Sequence, residues 1–170
     1  SDNVGNPTSV IVDPGTSPHE SITTVFTYDG VGNIVSLTDP RGKTHTGTYD
    51  ALRRLTSYTA PTSSGVSTTW TYNVDGLITS ISRANGTNPS VTSYTYWPTG
   101  RVKTMTDPDN RVSRYDYDAA NRLTYTTDPE LRRTLKVYNA ASEVIEDRRA
   151  IGTPNEQAYA TFTYTLNGKQ

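Results

Sequence analysis

Seven tyrosines, Tyr28, Tyr49, Tyr72, Tyr96, Tyr117, Tyr138 and Tyr164, punctuate this 170-residue chain at spacings of 21, 23, 24, 21, 21 and 26 residues. A chain that repeats itself at so short a period cannot enclose a core within one unit, so it must stack unit on unit. The residue after each tyrosine is Asp29, Asp50, Asn73, Trp97, Asp118, Asn139 or Thr165. Four positions after it stand Gly32, Arg53, Gly76, Gly100, Asn121, Ser142 and Gly168. Six positions after it runs an apolar column of Ile34, Leu55, Ile78, Val102, Leu123 and Val144. Further on, Asp39-Pro40, Asp107-Pro108 and Asp128-Pro129 recur, with Ala60-Pro61 as a weaker copy.

The first residues join the same array. Ser1-Asp2-Asn3-Val4-Gly5-Asn6 falls on Tyr28-Asp29-Gly30-Val31-Gly32-Asn33, and Asp13-Pro14-Gly15 answers Asp39-Pro40-Arg41-Gly42 with one residue of slippage. The expectation is one continuous array over 1–170, with units starting near 1, 28, 49, 72, 96, 117, 138 and 164, cut from a longer protein at both ends.

Each unit reads as two strands and two turns. Phe26, Trp70, Tyr94, Tyr115 and Phe162 stand two positions before their tyrosines, a spacing that puts both rings on one face of a strand. The four residues that follow, such as Asp118-Ala119-Ala120-Asn121, have turn chemistry: Asp or Asn bonds its own backbone two residues on, and Gly or Asn accepts positive φ. A second strand ends at an Asp-Pro corner, where proline presets φ. Short turns join antiparallel strands, because parallel ones need crossovers of a dozen residues or more. The expected fold is therefore all-β, an antiparallel meander of repeated β-hairpins forming a curved, spiralling sheet, with no helix even at Ala140–Ala150. Apolar residues at both the sixth and ninth positions, such as Ile34 and Leu37, would fall on opposite faces of a regular strand. Either both faces are part-covered or each second strand carries a bulge. The bulge is preferred, because repeated bending in one sense curls the sheet.

Composition supports a thin sheet. Hydrophobic residues are only 32% of the chain, while Thr numbers 30 and Tyr 12, and both residue types favour a pleated, half-buried surface. The chain has no cysteine, which excludes disulfides, thiolate metal sites and a cysteine nucleophile. The net charge of −1 and pI near 6.1 lack the electrostatic footprint of a nucleic-acid binder. No apolar run approaches a membrane span.

The unit Tyr-Asp-x-x-Gly-Arg-Leu, followed by Asp-Pro-x-Gly, resembles the YD repeat of the Rhs family. It is nearly complete as Tyr117-Asp118-Ala119-Ala120-Asn121-Arg122-Leu123 and as Tyr28-Asp29-Gly30-Val31-Gly32-Asn33-Ile34 with Asp39-Pro40-Arg41-Gly42. Departures fall at Arg53 and Ser142 in place of Gly, and at Trp97-Pro98 in place of Asp-x. The resemblance, which extends to teneurins and insecticidal toxin-complex subunits, implies a continuous spiralling sheet wound into a large hollow shell. In the bacterial members such a shell encloses a C-terminal toxin; in teneurins it serves adhesion. The self-cleaving segment that closes bacterial shells has no counterpart in this sequence.

What the resemblance implies is a structural repeat module in the wall of a shell around a toxin cargo, from a bacterial protein that is secreted or displayed at the cell surface. Its partners would be the rest of its own parent chain and, through open strand edges, other copies. The alternative is an extracellular adhesion module for carbohydrate or a cell-surface protein, with Trp70 and Trp97 as candidate stacking residues. No enzyme, metal or cofactor is expected. His19 and His45 sit near no activating motif, Asp107-Pro108-Asp109-Asn110 lacks the bidentate Glu of a calcium loop, and the pairs Arg53-Arg54, Arg132-Arg133 and Arg148-Arg149 read as solvated charge that protects strand edges. The repeat-defining residues are the seven tyrosines, Gly32, Gly76 and Gly100, and the apolar column.

Overall fold

The computed structural model describes residues 1–12, 22–61, 65–84, 88–152, 154 and 157–164. Asp13-Pro14-Gly15, His19, Thr165 and Gly168 lie outside the described residues. Two compact units divide the chain, Ser1–Val91 and Thr92–Gln170. The first holds β1 (Ser9–Val12), β2 (Ile22–Tyr28), β3 (Ile34–Thr38), β4 (Thr44–Tyr49), β5 (Leu55–Thr59), β6 (Ser67–Tyr72) and β7 (Ile78–Ala84). The second holds most of β8 (Ser90–Tyr96), then β9 (Val102–Thr106), β10 (Val112–Tyr117), β11 (Leu123–Thr127), β12 (Arg133–Tyr138), β13 (Val144–Arg149) and β14 (Gln157–Thr161). Within each unit every strand pairs antiparallel with its neighbour in chain order. The fold is an all-β meander, with no helix among the described residues.

One turn design joins nearly every pair of strands. Asp29 donates its backbone N–H to the Asn33 carbonyl at 3.0 Å and accepts from Gly32 N–H at 3.1 Å. Its side-chain oxygen Oδ1 also accepts from the N–H groups of Val31 and Asn33. The same pattern recurs at Asp2, Asp50, Asn73 and Asp118, and also at the Asp-Pro corner of Asp107. The two corners of a repeat are thus the same object, a short turn whose fourth residue is left-handed. Glycine fills that place at Gly32 (φ 87°), Gly76 (82°) and Gly100 (78°), but Arg53, Asn110, Asn121, Leu131 and Ser142 adopt it at 60–67°. Departures from glycine therefore leave the turn intact.

A bulge follows each tyrosine-bearing turn among the described residues. Tyr28 pairs with Ile34 while Thr27 pairs with Ser36, so Val35 is the extra residue. Thr56, Thr79, Lys103, Thr124 and Ile145 are extra in the same way. The bulge returns the ninth position to the face of the sixth, which resolves the odd spacing seen in the sequence. On that face each tyrosine opposes an apolar residue, and Phe26 opposes Leu37, Trp70 opposes Ile81 and Tyr94 opposes Met105. The other face carries hydroxyls that bond across strands: Thr27 to Ser36 at 2.6 Å, Thr71 to Ser80 at 2.7 Å and Thr95 to Thr104 at 2.6 Å. On β4 and β6, Thr44, Thr46, Thr48, Thr69 and Thr71 are exposed while His45, Tyr49, Trp70 and Tyr72 are half-buried.

No apolar side chain among the described residues is buried; Asn33, 8% exposed, is the only buried one. Stability therefore rests on ladders, cross-strand pairs and turns rather than on a sealed core.

Leu131 is the least suited of the left-handed residues, since its Cβ costs about 1–2 kcal/mol there. Leu131→Gly is expected to stabilise the chain by about 0.5–1 kcal/mol after the unfolded state's gain in freedom is subtracted. Urea unfolding measures this, and a destabilised variant would contradict the turn geometry.

Candidate functional site

Within each unit, tyrosines of the column form a seam that fastens a repeat to the one before it. Beyond the bulge the following ladder stops short: β3 and β4 pair only as far as Ser36 with Thr46, and β5 and β6 as far as Ser57 with Thr69. The carbonyls of Ile34 and Leu55 lie past those ends and need a donor. The tyrosine of the next repeat supplies it. The Tyr49 hydroxyl donates to the Ile34 carbonyl at 3.1 Å, Tyr72 to Leu55 at 2.7 Å, Tyr138 to Leu123 at 2.8 Å and Tyr164 to Val144 at 2.7 Å. Tyr28 donates to the carbonyl of Pro7 at 2.8 Å, the residue six positions after Ser1. The apolar column thus has two roles: its side chains pack under the preceding tyrosine and its carbonyls accept the next one. Burial pushes the phenols of Tyr96 and Tyr117 above their usual value.

A second set of bonds arises at the fifth position after the tyrosine, a column that identity-based reading of the sequence passes over. Asn6 and Asn33 donate from Nδ2 to Asp2 and Asp29, both at 2.8 Å, and Arg54 and Arg122 donate from Nε to Asp50 and Asp118, both at 2.7 Å. At Asn139 and Glu143 the roles reverse: the amide donates and the carboxylate accepts, at 2.7 Å. The Asp-Pro corners repeat the device as Asp107–Arg111 and Asp128–Arg132.

The arginines also cross to the next repeat. Arg54 lies 4.4 Å over the Tyr72 ring, and its Nη1 donates to the Asn73 carbonyl at 3.4 Å. Arg122 lies 4.7 Å over Tyr138 and donates to the Asn139 carbonyl at 3.0 Å and to Ser142 Oγ at 3.2 Å. Arg53 reaches the other way, donating to Asn33 Oδ1 at 3.0 Å. Arg133 covers Tyr125 and Arg149 covers Tyr159. The arginine pairs expected to be solvated are thus largely engaged; a planar guanidinium both forks onto a carboxylate and stacks on a ring. Arg132, with its side chain 71% exposed, comes nearest to the solvated reading, although it pairs with Asp128 and Glu130.

Where Trp97 replaces Asp, the turn still closes, with Trp97 N–H donating to the Arg101 carbonyl at 2.8 Å. Its indole N–H supplies the forward link, to the Tyr115 carbonyl at 3.0 Å, and Lys103 sits 4.6 Å over the ring. Trp70 is half-buried opposite Ile81. His45 donates or accepts through Nδ1 with the Tyr58 hydroxyl. No group of three or more His, Cys, Asp or Glu among the described residues is placed to hold a metal, and no described helix is long and apolar enough to cross a membrane.

A repeating seam of this kind defines a nearest-neighbour array of β-hairpins. The RHS Repeat family matches residues 2–44, 28–64 and 96–133, more than half of the chain, and the chain belongs to that family. Similar solved structures include the TcdB2–TccC3–Cdc42 crystal structure, with a TM-score of 0.65, and TcdB2–TccC3 without its hypervariable C-terminal region, with 0.67. Identity is 18% in both, and the match covers 86% of this chain but 9% of each of those chains. No curated protein matches the chain.

Two consequences can be measured. Tyr72→Phe leaves the Leu55 carbonyl without its donor and is expected to cost about 1 kcal/mol, and Arg122→Ala about 1–2 kcal/mol through the lost ring and carbonyl contacts; urea midpoints unchanged in both would contradict the seam. Asp50 and Asp118 are held below the usual value near 3.8, first by the backbone N–H groups of Arg54 and Arg122. A folded value below the unfolded one means their contribution is complete above the unfolded value and is lost as pH falls through the folded one. Stability is expected to fall on acidification below about pH 4–5, with a shallower fall in Asp50→Asn and Asp118→Asn. An acid slope that neither substitution alters would overturn the assignment.

Proposed function

We propose that the chain is a wall segment of a hollow β-shell that encloses a C-terminal cargo domain, a toxin, of its own parent polypeptide. The observation that carries this reading is the seam: Tyr28, Tyr49, Tyr72, Tyr138 and Tyr164 each donate to a carbonyl of the preceding repeat, a link that can recur along an array without a built-in stop. A sheet with one hydroxyl face and one half-buried aromatic face suits a wall better than a globule. Successive bulges bend such a wall, and a wall long enough to close excludes solvent and proteases from what it surrounds. The similarity to TcdB2–TccC3 supports this architecture, and the chain spans about 9% of the length of those chains. The remaining repeats and the cargo would be its partners in a longer bacterial protein that is secreted or displayed at the cell surface, and the segment's role is structural rather than catalytic.

Limited proteolysis of the full-length parent is expected to leave both the repeats and the C-terminal domain resistant until the shell is opened by denaturant. Uniform digestion at low protease would contradict encapsulation. In isolation, the exposed edge strand β1, with Val10, Ile11 and Val12 each 44–58% exposed, is expected to template pairing with a second copy. Light scattering should show association that rises with concentration, and a strict monomer at high concentration would contradict it.

A second reading, carbohydrate binding, is favoured by one observation. A cleft of about 320 Å³ places Trp97 beside Asp116, Asp118 and Asn121, the ring-and-carboxylate pairing that suits a sugar. Titrating glycans against tryptophan fluorescence tests it: saturable quenching that Trp97→Phe alters supports it, and flat responses remove it.

A further inference from the structure

The column two positions before each tyrosine carries rings at Phe26, Trp70, Tyr94 and Tyr115, but at Gly47 it carries none. Gly47 does not lie in the left-handed region, so its backbone does not demand glycine. A Cβ there would meet the tip of Leu55 at 3.3 Å and the Ile34 carbonyl oxygen at 3.5 Å. The residue opposite Gly47 is Tyr58, whose hydroxyl turns to His45 Nδ1. In place of the missing ring stands a cleft of about 340 Å³, floored by Ile34, Leu37 and Leu55 and walled by His45, Tyr49 and Tyr58.

We propose that this cleft binds a single aromatic ring bearing a hydroxyl group, a phenol. Three observations converge on that chemistry. The vacancy lies in a column that holds a ring in five of the seven repeats, Lys136 being the other place without one, on a face where ring meets aliphatic side chain. The volume is at the lower end of the range for small-molecule pockets, about 300–1,000 Å³, and holds one ring together with its hydroxyl. With the Tyr49 hydroxyl taken by the Ile34 carbonyl, two side-chain atoms of the walls are placed to meet a phenol hydroxyl: His45 Nε2, since Nδ1 engages Tyr58, and the Tyr58 oxygen, which retains acceptor capacity. No charged side chain lines the cleft, so an anion or a cation has no counter-charge there.

The test is an NMR titration of the whole 170-residue chain with p-cresol, with toluene as the apolar control. Saturable shifts centred on Gly47, His45 and Leu55 are expected, with p-cresol binding about fivefold tighter than toluene, the worth of one net hydrogen bond. Gly47→Phe fills the cleft with its own ring and should weaken p-cresol by at least about tenfold, or about 1.4 kcal/mol. His45→Ala, which keeps the cleft, should abolish the preference for p-cresol over toluene. N-acetyltyrosinamide provides the second arm: binding as tight as that of p-cresol assigns the ring to a polypeptide side chain, and its exclusion assigns it to a free small molecule. The proposal is overturned if neither phenol produces saturable shifts, if the shifts lie elsewhere, or if a folded Gly47→Phe binds p-cresol as well as the parent does. Should Gly47→Phe fail to fold, an unchanged p-cresol preference in His45→Ala overturns it instead.

Discussion

A backbone carbonyl left beyond the end of a ladder, and a tyrosine hydroxyl from the next repeat that reaches it, hold this structure together. The geometry has a single origin. The left-handed residue at the end of the turn and the bulge just after it displace the second strand, so that pairing with the following strand begins two residues late. A carbonyl is thereby exposed once per repeat at the same edge. Phenylalanine would pack as well as tyrosine but could not satisfy it, which explains a column of tyrosines rather than of any aromatic residue.

The arginine and asparagine at the fifth position work on the same edge. Arg54 and Arg122 each close their own turn on Asp50 or Asp118 and then extend to the ring and carbonyl of the next repeat. Half-exposed ion pairs are weak when isolated; here the guanidinium is already oriented by its carboxylate when it meets the neighbouring ring, so less freedom is lost in the second contact. With no apolar side chain buried among the described residues, order comes from many small, directional bonds.

Much of this was legible in the sequence. The period, the antiparallel hairpins, the bulge and the absence of helix follow from Tyr28 to Tyr164, the apolar column and the turn residues, because those features are local and strict. The seam was less legible. The tyrosines' acceptors lie 15–21 residues back, and alternation patterns speak only of faces, not of what a hydroxyl reaches. The fifth-position column hid because its chemistry is shared while its identity is not: Asn33, Arg54, Arg122 and Glu143 all bond the residue that opens their turn. Arg53, Asn121 and Ser142 hid in the opposite way, departing from glycine in identity while keeping its backbone conformation.

The central claim is that stability is built by nearest-neighbour fastening, repeat by repeat. Equilibrium unfolding of a series of shortened chains holding three, four, five, six and seven repeats tests it most directly. Each repeat added is expected to raise the unfolding free energy by a near-constant increment, as a one-dimensional array requires. A chain that stays unfolded until all repeats are present, and then folds in one step, would show that a shared interior holds it and would contradict the account.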